Sequence, residues 1–336
     1  MPEPALAEKV AFLSKPEAYA IRPARVELKE THMSCVFLTD QYVWKLKKPA
    51  RYDYLDFSTV EARKRTCELE VELDRRLAVD VYLGVVPLVI DPRGTMQLGG
   101  EGQIIDWLVM MRRLPDNRML DAVIAARTAS REDVQLVGVL LAQFYKHART
   151  IPLTAAEYTS RLEAETNEYA TELLRAKYAL PAEVIESIRA DQMNVLKREA
   201  VMFAERARQG KIVDAHGDLR PEHICLGPKP VIIDCLEFNP DFRVLDPASE
   251  LAFLGLECDR LGAPWVGELI LGTYRCQTGD HPPELLLLYY KRHHACVRAK
   301  IAVWHLKDPH VRDSAKWIDK AKGYLQRARS LEEIHN

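Results

Sequence analysis

The stretch "HGDLRPEHICL", residues 216–226, decides how this sequence folds and what it can do. It places an acid, Asp218, directly after a His-Gly pair and after the short apolar segment "KIVDA". A second acid, Asp234, ends another short apolar segment, "PVIID", sixteen positions further on. Both segments have the length and composition of short strands. Asp218 therefore follows one predicted short strand and Asp234 ends the next. Any other residues of a shared site must come from the rest of the chain.

The bulk properties indicate an ordinary globular protein. The 336 residues are too many for one small core and fit two lobes. The formal net charge of −2 gives no attraction to nucleic acid or to an anionic membrane. The longest apolar runs, such as "LLLLYY", are too short to cross a bilayer. The first residues, "MPEPALAEKV", lack the pattern of a signal peptide, and seven irregularly spaced cysteines suit a reducing compartment. We expect a cytoplasmic protein with no nucleic-acid or membrane partner.

The first third of the chain alternates strands with one strong helix. "RVELKETHMSCVFLTDQYVWKLKKP" (25–49) predicts three strands separated by turns at 31–34 and 39–41. A helix is predicted from "STVE", with Ser58 as N-cap and Glu61 completing a capping box, to about Ala78. "VVPLVIDPRGTMQLGGEGQIIDWLVMMRRL" predicts a strand, a turn at 91–94 and a second strand. These segments predict a small antiparallel α+β lobe.

From Pro115 onward the patterns are mostly helical. Asp116 is a predicted helix cap, and Gly210 is a typical stop signal after another helix. Asp246 with Pro247 begins a further helix. The remainder, to about Arg329, is a run of helices. A strand-rich lobe before a larger helical lobe is the layout of a kinase-like fold, with ATP in the cleft between lobes.

The opening stretch matches a known catalytic loop. The protein-kinase loop reads H-R-D-L-x-x-x-N, with a metal-binding acid downstream. His216, Gly217, Asp218 and Leu219 match its start with one change. Phosphoryl transfer needs an aspartate that orients the acceptor hydroxyl, an acid that holds Mg²⁺, and a lysine fixed by a helix glutamate. Asp218 and Asp234 are candidates for the first two parts.

The segment "YVWKLKKP" offers three lysines for the third part. Lys45 and Lys47 share one face of a strand, and Lys48 points away. Because "VWK" resembles the kinase "VAIK", Lys45 is preferred, with Lys47 in reserve. Lys47 and Lys48 otherwise suit a solvated strand edge. Glu70, on the buried side of the predicted helix, is the candidate partner.

Seven sequence blocks together resemble one protein family. They are "THMSCVFL", "YVWKLKKP", "LDFST", "RRLAVDVYLGVVP", "HGDLRPEHI", "IDCLEF" and "DPASELAFL". With these blocks the chain is similar to the bacterial aminoglycoside phosphotransferase family, within the kinase-like superfamily. The resemblance implies a bilobal protein-kinase-like α+β fold, with a small antiparallel-sheet lobe at 1–113 that has one helix, and a larger, mostly helical lobe at 114–336. Some members carry an extra P-loop domain, but no GxxxxGK[ST] occurs here, so we expect none.

The resemblance also implies residue roles. Asp218 would be the catalytic aspartate, Asp234 the main metal ligand, and Lys45 with Glu70 the phosphate-binding pair. The strand end from Met111 to Arg113 would be the hinge that reads adenine. The turn "ETHMSC" lacks glycine, so Ser34 and backbone amides would take over the role of a glycine-rich loop. The implied reaction is transfer of the γ-phosphate of ATP, with Mg²⁺, to a hydroxyl of a small molecule.

His223 departs from the family pattern, in which asparagine occupies this position. Imidazole suits Mn²⁺ and other borderline ions, whereas Mg²⁺ prefers oxygen. Three alternatives stay open. His223 ligates a metal, and then favours Mn²⁺; it hydrogen-bonds the loop; or Glu222 or Glu237 supplies the missing oxygen.

Other residues permit a functional and a structural interpretation. Four charged residues either hold substrate or form local ion pairs: Arg220, Glu222, Glu237 and Arg243. His293, His294 and Cys296 suggest a packing helix, because adjacent histidines on a helix point about 100° apart. The basic segment "YYKRHHACVRAK" disfavours a polycationic antibiotic as the acceptor.

Two other functions remain alternatives: a nucleotide-binding pseudokinase that regulates a partner protein, and transfer of AMP by a kinase-like enzyme. No sequence feature indicates a protein partner.

Overall fold

The computed structural model describes residues 4–52, 55–307 and 313–331. The chain divides into two compact units. Unit 1 comprises Met1–Arg127 and Glu222–Phe242, and unit 2 comprises Thr128–Pro221 and Arg243–Asn336. Unit 1 thus extends past Arg113 and includes the segment that carries Asp234. The predicted lobe boundary after Arg113 remains a prediction.

Unit 1 is built on an antiparallel sheet of six strands in the order β1-β2-β3-β8-β6-β7. Its strands and those of a short hairpin are β1 Glu27–Glu30, β2 Ser34–Leu38, β3 Tyr42–Lys47, β4 Arg51–Tyr52, β5 Leu55–Asp56, β6 Tyr82–Ile90, β7 Met96–Leu98 and β8 Gln103–Arg112. The register pairs Lys45 with Val36 on one side and with Val109 on the other. Lys45 therefore lies on a central strand, where hydrogen bonds on both sides hold the backbone in place.

Among the described residues of unit 1, three segments form α-helices: α1 Leu6–Leu13, α2 Val60–Asp74 and α3 Leu120–Ala125. The α1 segment packs Leu13 and Tyr19 on one face of the sheet, against Trp44 and Leu46. On the other face, α2 packs against β6 and β8. Because side chains alternate along a strand, Lys45 faces the α2 side while Trp44 faces the α1 side.

Several sequence predictions in unit 1 needed correction. The N-cap of α2 is Thr59, whose hydroxyl accepts a hydrogen bond from the Ala62 amide, so the prediction of Ser58 was wrong. Two strands, β7 and β8, follow the turn at 91–94 where one was predicted. The predicted cap at Asp116 was also wrong, because that residue begins a 3-10 turn and α3 follows it.

Unit 2 is mostly helical, as predicted. Its helices are α4 Arg131–His147, α5 Ala155–Leu173, α6 Ala182–Arg198, α7 Ala200–Arg208, α8 Pro247–Arg260, α9 Pro264–Thr278, α10 Glu284–Trp304 and α11 Ser314–Ser330. Buried side chains of α5, α6, α8, α10 and α11 form one apolar core. The predicted boundary signals hold at Asp246, which caps α8, and at Gly210, whose positive φ of 67° suits glycine after α7.

Four short strands flank the loops that carry the candidate acids. In unit 1, β10 Ile224–Cys225 pairs with β11 Val231–Ile232, and Asp234 follows β11. In unit 2, β9 Val213–Asp214 pairs with β12 Val244–Leu245, and Asp218 follows β9. Among the described residues, no helix combines the length and apolar character that crossing a lipid bilayer requires.

Candidate active site

Lys45 lies between two carboxylates of unit 1. Its ammonium nitrogen is 2.9 Å from Oε1 of Glu70 on α2 and 2.8 Å from Oδ1 of Asp234. The Lys45 side chain is 15% exposed and that of Asp234 is 45% exposed, whereas Glu70 is fully buried. The structure thus brings together three residues that the sequence singled out. Two of them, Lys45 and Asp234, are accessible to a ligand.

Lys47 lies two positions after Lys45 on the same face of β3 and is more deeply buried. Its ammonium nitrogen is 2.5 Å from Oε2 of Glu70 and 2.5 Å from Oε1 of Glu237, and the side chain is fully buried. Its interpretation as part of a solvated strand edge was therefore wrong. Glu70 is shared by both lysines, one on each carboxylate oxygen. Glu237 bonds to Lys47 through Oε1, so this carboxylate belongs to the same charged cluster.

The charges of this cluster stabilise one another. Burial opposes the charge on Lys45, but Asp234 and Glu70 outweigh burial and raise its pKa well above the usual value. Burial likewise opposes the charge on Glu70, but the two lysines outweigh it and lower the pKa of this carboxyl. Both lysines and Glu70 are thus charged at neutral pH, and each buried charge has an opposite charge in contact.

Two side chains that sequence reasoning missed hold the Asp234 segment. Asp234 has a positive φ of 63°, a conformation that most residues avoid. Its amide donates a hydrogen bond to the Tyr82 hydroxyl at 3.1 Å, and the next amide, that of Cys235, donates to Oδ1 of Asp74 at 2.9 Å. Burial raises the pKa of Tyr82 and of Asp74 well above their usual values. The sequence carries no local signal for either role, because both bonds span more than 150 residues.

His223 lies next to Asp234. Its Nε2 is 3.4 Å from Oδ2 of Asp234, and the side chain is buried. The backbone carbonyl of His223 also accepts a hydrogen bond from the Ile233 amide. The imidazole is therefore near enough to share a ligand with Asp234, and the local strand pairing fixes its position.

A divalent metal fits these donors only if a phosphate or water completes its shell. Within the described ranges, no three His, Cys, Asp or Glu side chains gather so as to hold a metal by themselves. Protein-bound Mg²⁺ usually takes one or two carboxylates and completes its shell with phosphates and water. The half-exposed carboxylate of Asp234 fits that pattern, and the imidazole of His223 fits Mn²⁺ better than Mg²⁺.

The remaining predicted residues of unit 1 lie on the same sheet or, in the case of Arg113, directly after its strand β8. Ser34 begins β2, is buried, and pairs in register with Lys47; its amide donates to the Thr31 hydroxyl. Met111 is a buried residue of β8, which lies between β3 and β6 in the sheet. The Arg113 amide donates to the Gln41 carbonyl. Since that amide is already bonded to Gln41, it does not offer a free donor to adenine, and the adenine-reading role of this strand end stays a prediction.

Asp218 lies in unit 2 and has its own set of partners. Its Oδ2 is 2.9 Å from a guanidinium nitrogen of Arg220. The amides of His216 and Gly217 both donate to the carboxylate of Glu250, a buried residue on α8 that also accepts from the Tyr145 hydroxyl. Glu250 thus fixes the backbone that leads into Asp218. Sequence reasoning missed it because it follows Asp218 by 32 positions, on another element.

A buried ion-pair network supports the same region of unit 2. Arg206 makes two hydrogen bonds to Asp246, each 2.7 Å, and further bonds to Asp280. Arg243 pairs with Asp214 at 2.8 Å, which supports a structural rather than a substrate-binding role for that arginine. These pairs tie α7, α8 and the β9–β12 pair together around the Asp218 loop.

His293 and His294 are packing residues, as expected. Nε2 of His294 is 2.9 Å from the Ser249 hydroxyl, and its ring stacks on Phe253. Burial lowers the pKa of His294 to about 3, so the ring is neutral at physiological pH. His293 stacks on Tyr289 and contacts Glu165. The two imidazoles face different neighbours.

Sequence comparison finds relatives without an assigned activity. None of the protein-family models matches the chain. The chain is 32% identical over 279 residues to uncharacterized proteins of two Mycobacterium tuberculosis strains and of Mycobacterium bovis. The match covers 82% of this chain and 54% of each relative, so the chain spans about half the length of the curated relatives it matches.

Comparison with solved structures finds shared architecture. A choline/ethanolamine kinase family protein from Mesorhizobium loti superimposes with a TM-score of 0.55 at 16% identity, covering 98% of this chain and 95% of that one. Aminoglycoside 2'-phosphotransferase-IIIa gives 0.55 at 14% identity, covering 97% and 99%. Choline kinase from Cryptosporidium parvum gives 0.56 at 8% identity, covering 98% and 95%. At such low identities these likenesses establish a common fold.

Proposed function

We propose that this chain, which has the kinase-like fold of the aminoglycoside phosphotransferases and choline kinases, transfers the γ-phosphate of ATP to a hydroxyl of a small molecule. The observation that carries the proposal is the contact of one lysine with two acids. Lys45 lies within 3 Å of both Glu70 and Asp234. A lysine fixed by a helix glutamate beside a metal-binding aspartate is the arrangement that kinases use to hold a nucleotide triphosphate.

In this proposal Lys45 binds nucleotide phosphate oxygens and Glu70 keeps its ammonium group in place. The metal, held by Asp234 with His223 beside it, would neutralise charge on the phosphates when bound. Lys47, itself bonded to Glu237, would hold Glu70 in place. A buried carboxylate with two cationic partners has little freedom to move. Ser34 and the adjoining backbone would cover the phosphates, and the strand end at 111–113 would adjoin the base.

Asp218 is proposed to orient the acceptor hydroxyl and to accept its proton as the new phosphorus–oxygen bond forms and the bond from the γ-phosphorus to the leaving ADP breaks. A general base must lie within hydrogen-bond reach of the proton it accepts. Arg220, 2.9 Å from Asp218, would fix the rotamer of the carboxylate. Glu250 positions the loop backbone through the amides of His216 and Gly217. Asp218 is thus held from two sides.

The test uses ATP labelled at either end. The purified chain is incubated with γ-labelled or α-labelled ATP, with Mg²⁺ or Mn²⁺, and with a panel of small hydroxyl compounds. Label transferred from the γ position supports the proposal. Label transferred from the α position would indicate AMP transfer instead. Nucleotide binding without transfer of either label, across the panel and both metals, would indicate a pseudokinase and contradict the proposal.

A further inference from the structure

The buried face of α2 carries three ionisable side chains. They are Arg63, Glu70 and Asp74, and each is buried. Side chains seven and four positions apart lie on one face of a helix, so all three point the same way. Burying ionisable groups is costly unless each has a partner. The positions of their partners therefore decide where this helix can lie.

Arg63 forms two parallel hydrogen bonds to Asp106 of β8. Its Nε donates to Oδ1 at 2.7 Å, and a terminal guanidinium nitrogen donates to Oδ2 at 3.1 Å. The other terminal nitrogen donates to the Phe57 carbonyl at 3.0 Å, in the segment that leads into α2. The side chains of Arg63 and Asp106 are both fully buried. A planar guanidinium bonded to a carboxylate in this way fixes the orientation of both groups.

A second cation shares the carboxylate of Asp106. The ammonium nitrogen of Lys9, on α1, lies 2.8 Å from Oδ2 of Asp106 and donates to the Ile105 carbonyl at 2.9 Å. Asp106 thus joins α1 and α2 to one strand of the sheet. The two cations differ in the element that they hold, because Lys9 belongs to α1 and Arg63 belongs to the helix that carries Glu70.

The partners of Arg63 and of Glu70 belong to neighbouring strands. Asp106 lies three positions before Val109 on β8, and Val109 pairs in register with Lys45 on β3. Arg63 precedes Glu70 by about two turns, or about 10 Å along the helix axis. A slip of one residue would move Glu70 by about 1.5 Å along the axis and by about 100° around it, away from Lys45. The bonds of Arg63 to Asp106 oppose such a slip, because the slip would break both.

We propose that Arg63 is a positioning residue for nucleotide binding, because its two bonds to Asp106 fix α2 in the register in which Glu70 holds Lys45. This inference rests on the proposed function, in which Lys45 binds the phosphate oxygens of ATP. Arg63 is fully buried, so it acts through Glu70 and not by contact with the nucleotide. A lysine whose position is already fixed loses little freedom when phosphate binds, which strengthens binding.

Removing each cation of Asp106 in turn tests this role. Arg63→Met and Lys9→Met are a matched pair, because each leaves the buried carboxylate with one cation. Calorimetry measures the affinity of the full chain for a non-hydrolysable ATP analogue with Mg²⁺ or Mn²⁺. Arg63→Met should weaken binding of the analogue by about tenfold, the size of one lost charge-assisted bond, and Lys9→Met by less than about twofold. Equal affinities of the two variants would overturn the inference.

A milder variant covers the case in which Arg63→Met does not fold. Arg63→Lys keeps the positive charge but cannot form both parallel bonds to Asp106. Its affinity for the analogue should lie between those of Arg63→Met and the unmodified chain. Far-UV circular dichroism shows which variants are folded at the temperature of the titration. If Arg63→Met is unfolded there, an affinity of Arg63→Lys equal to that of Lys9→Met would contradict the inference.

A double variant shows whether the effect passes through Glu70. In a chain that already carries Glu70→Gln, Arg63→Met should weaken the analogue little further, because two residues that act through one contact are not additive. The same loss in this background as in the unmodified chain would show that Arg63 acts independently of Glu70, and the positioning role would be rejected.

The labelled-ATP assay separates this inference from the proposed function. If γ-label moves to an acceptor but Arg63→Met binds the analogue as tightly as Lys9→Met does, the phosphotransferase stands and the positioning role fails. If Arg63→Met selectively weakens the analogue but no label moves to any acceptor, the positioning role stands and the phosphotransferase fails. An unmodified chain that does not bind the analogue with either metal would contradict both.

Discussion

The ammonium nitrogen of Lys45 lies 2.8 Å from a carboxylate oxygen of Asp234, although 189 residues separate them in the chain. Lys45 belongs to a central strand, and Asp234 follows a short strand in the second segment of the same unit. The two side chains carry opposite charges and are in contact. Such a pair suits a ligand that itself carries charges of both signs. The contact makes the two residues the first targets for mutation.

Lys45 and Lys47 should respond differently to the same substitution. Lys45→Met removes the accessible cation, so ATP affinity and turnover should fall by at least tenfold while unfolding by urea changes little. Lys47→Met removes the cation that pairs with the buried carboxylate of Glu237. Leaving that carboxylate without Lys47 should lower the free energy of unfolding by about 3–5 kcal/mol. Lys48→Met is the control on the same segment. If Lys45→Met retained full ATP affinity, the phosphate-binding role would be rejected.

Asp218→Asn should lower turnover by orders of magnitude and leave nucleotide binding nearly intact. The substitution removes a base that general acid–base catalysis uses for about a 10²–10⁴-fold acceleration. ATP binding is measured by calorimetry and turnover by ADP release. Asp319→Asn, on the exposed face of α11, is the control and should behave like the unmodified chain. Unchanged turnover in Asp218→Asn would exclude Asp218 as the base.

His223→Asn tests whether the imidazole ligates the metal. If it does, the variant should lose any preference for Mn²⁺ over Mg²⁺, because an amide oxygen suits the harder ion. Activity is measured as a function of the concentration of each metal. His147→Asn, an exposed histidine of unit 2, serves as the control. An unchanged metal profile in His223→Asn would favour the alternative in which His223 only braces the loop.

Tyr82→Phe removes the acceptor that holds the Asp234 amide. Groups that orient a metal ligand typically contribute about 10–100-fold in metal affinity or activity. We expect a rise of that size in the metal concentration needed for half-maximal activity, with a smaller change in ATP affinity. Tyr42→Phe, at the start of β3, is the control. Equal metal dependence in both variants would show that Tyr82 does not position Asp234.

His294 should make stability fall on acidification. In the folded protein its pKa is lowered from 6.5 to about 3. Between pH 6.5 and pH 3 the imidazole is therefore protonated in the unfolded chain but not in the folded protein. The stability that neutral His294 contributes is complete above pH 6.5 and is lost progressively as the pH falls toward 3. One proton corresponds to a slope of about 1.4 kcal/mol per pH unit.

Urea unfolding at pH 7, 6, 5 and 4 measures this slope. His294→Phe should flatten the pH dependence while keeping the stack on Phe253, and His281→Asn, an exposed histidine, should leave it unchanged. The same slope in His294→Phe as in the unmodified chain would assign the effect to other groups.

Much of the architecture could be predicted from local signals. Strand alternation identified β1 to β3 and placed Lys45 and Lys47 on one face. The Asp-Pro pair at 246 and 247 identified the start of α8, because capping chemistry depends only on neighbouring residues. The errors were local as well: Thr59 caps α2 in place of Ser58, and α1 was overlooked.

The sequence by itself determined the kinase-like order of elements and the identities of Lys45, Glu70, Asp218 and Asp234 as candidates, since these depend on motif spacing and side-chain periodicity. Only the tertiary structure decided that Lys47 is buried between Glu70 and Glu237, and that Tyr82 holds Asp234. These contacts join segments far apart in the chain. Their formation depends on burial and packing of whole elements, which no local pattern of residues encodes.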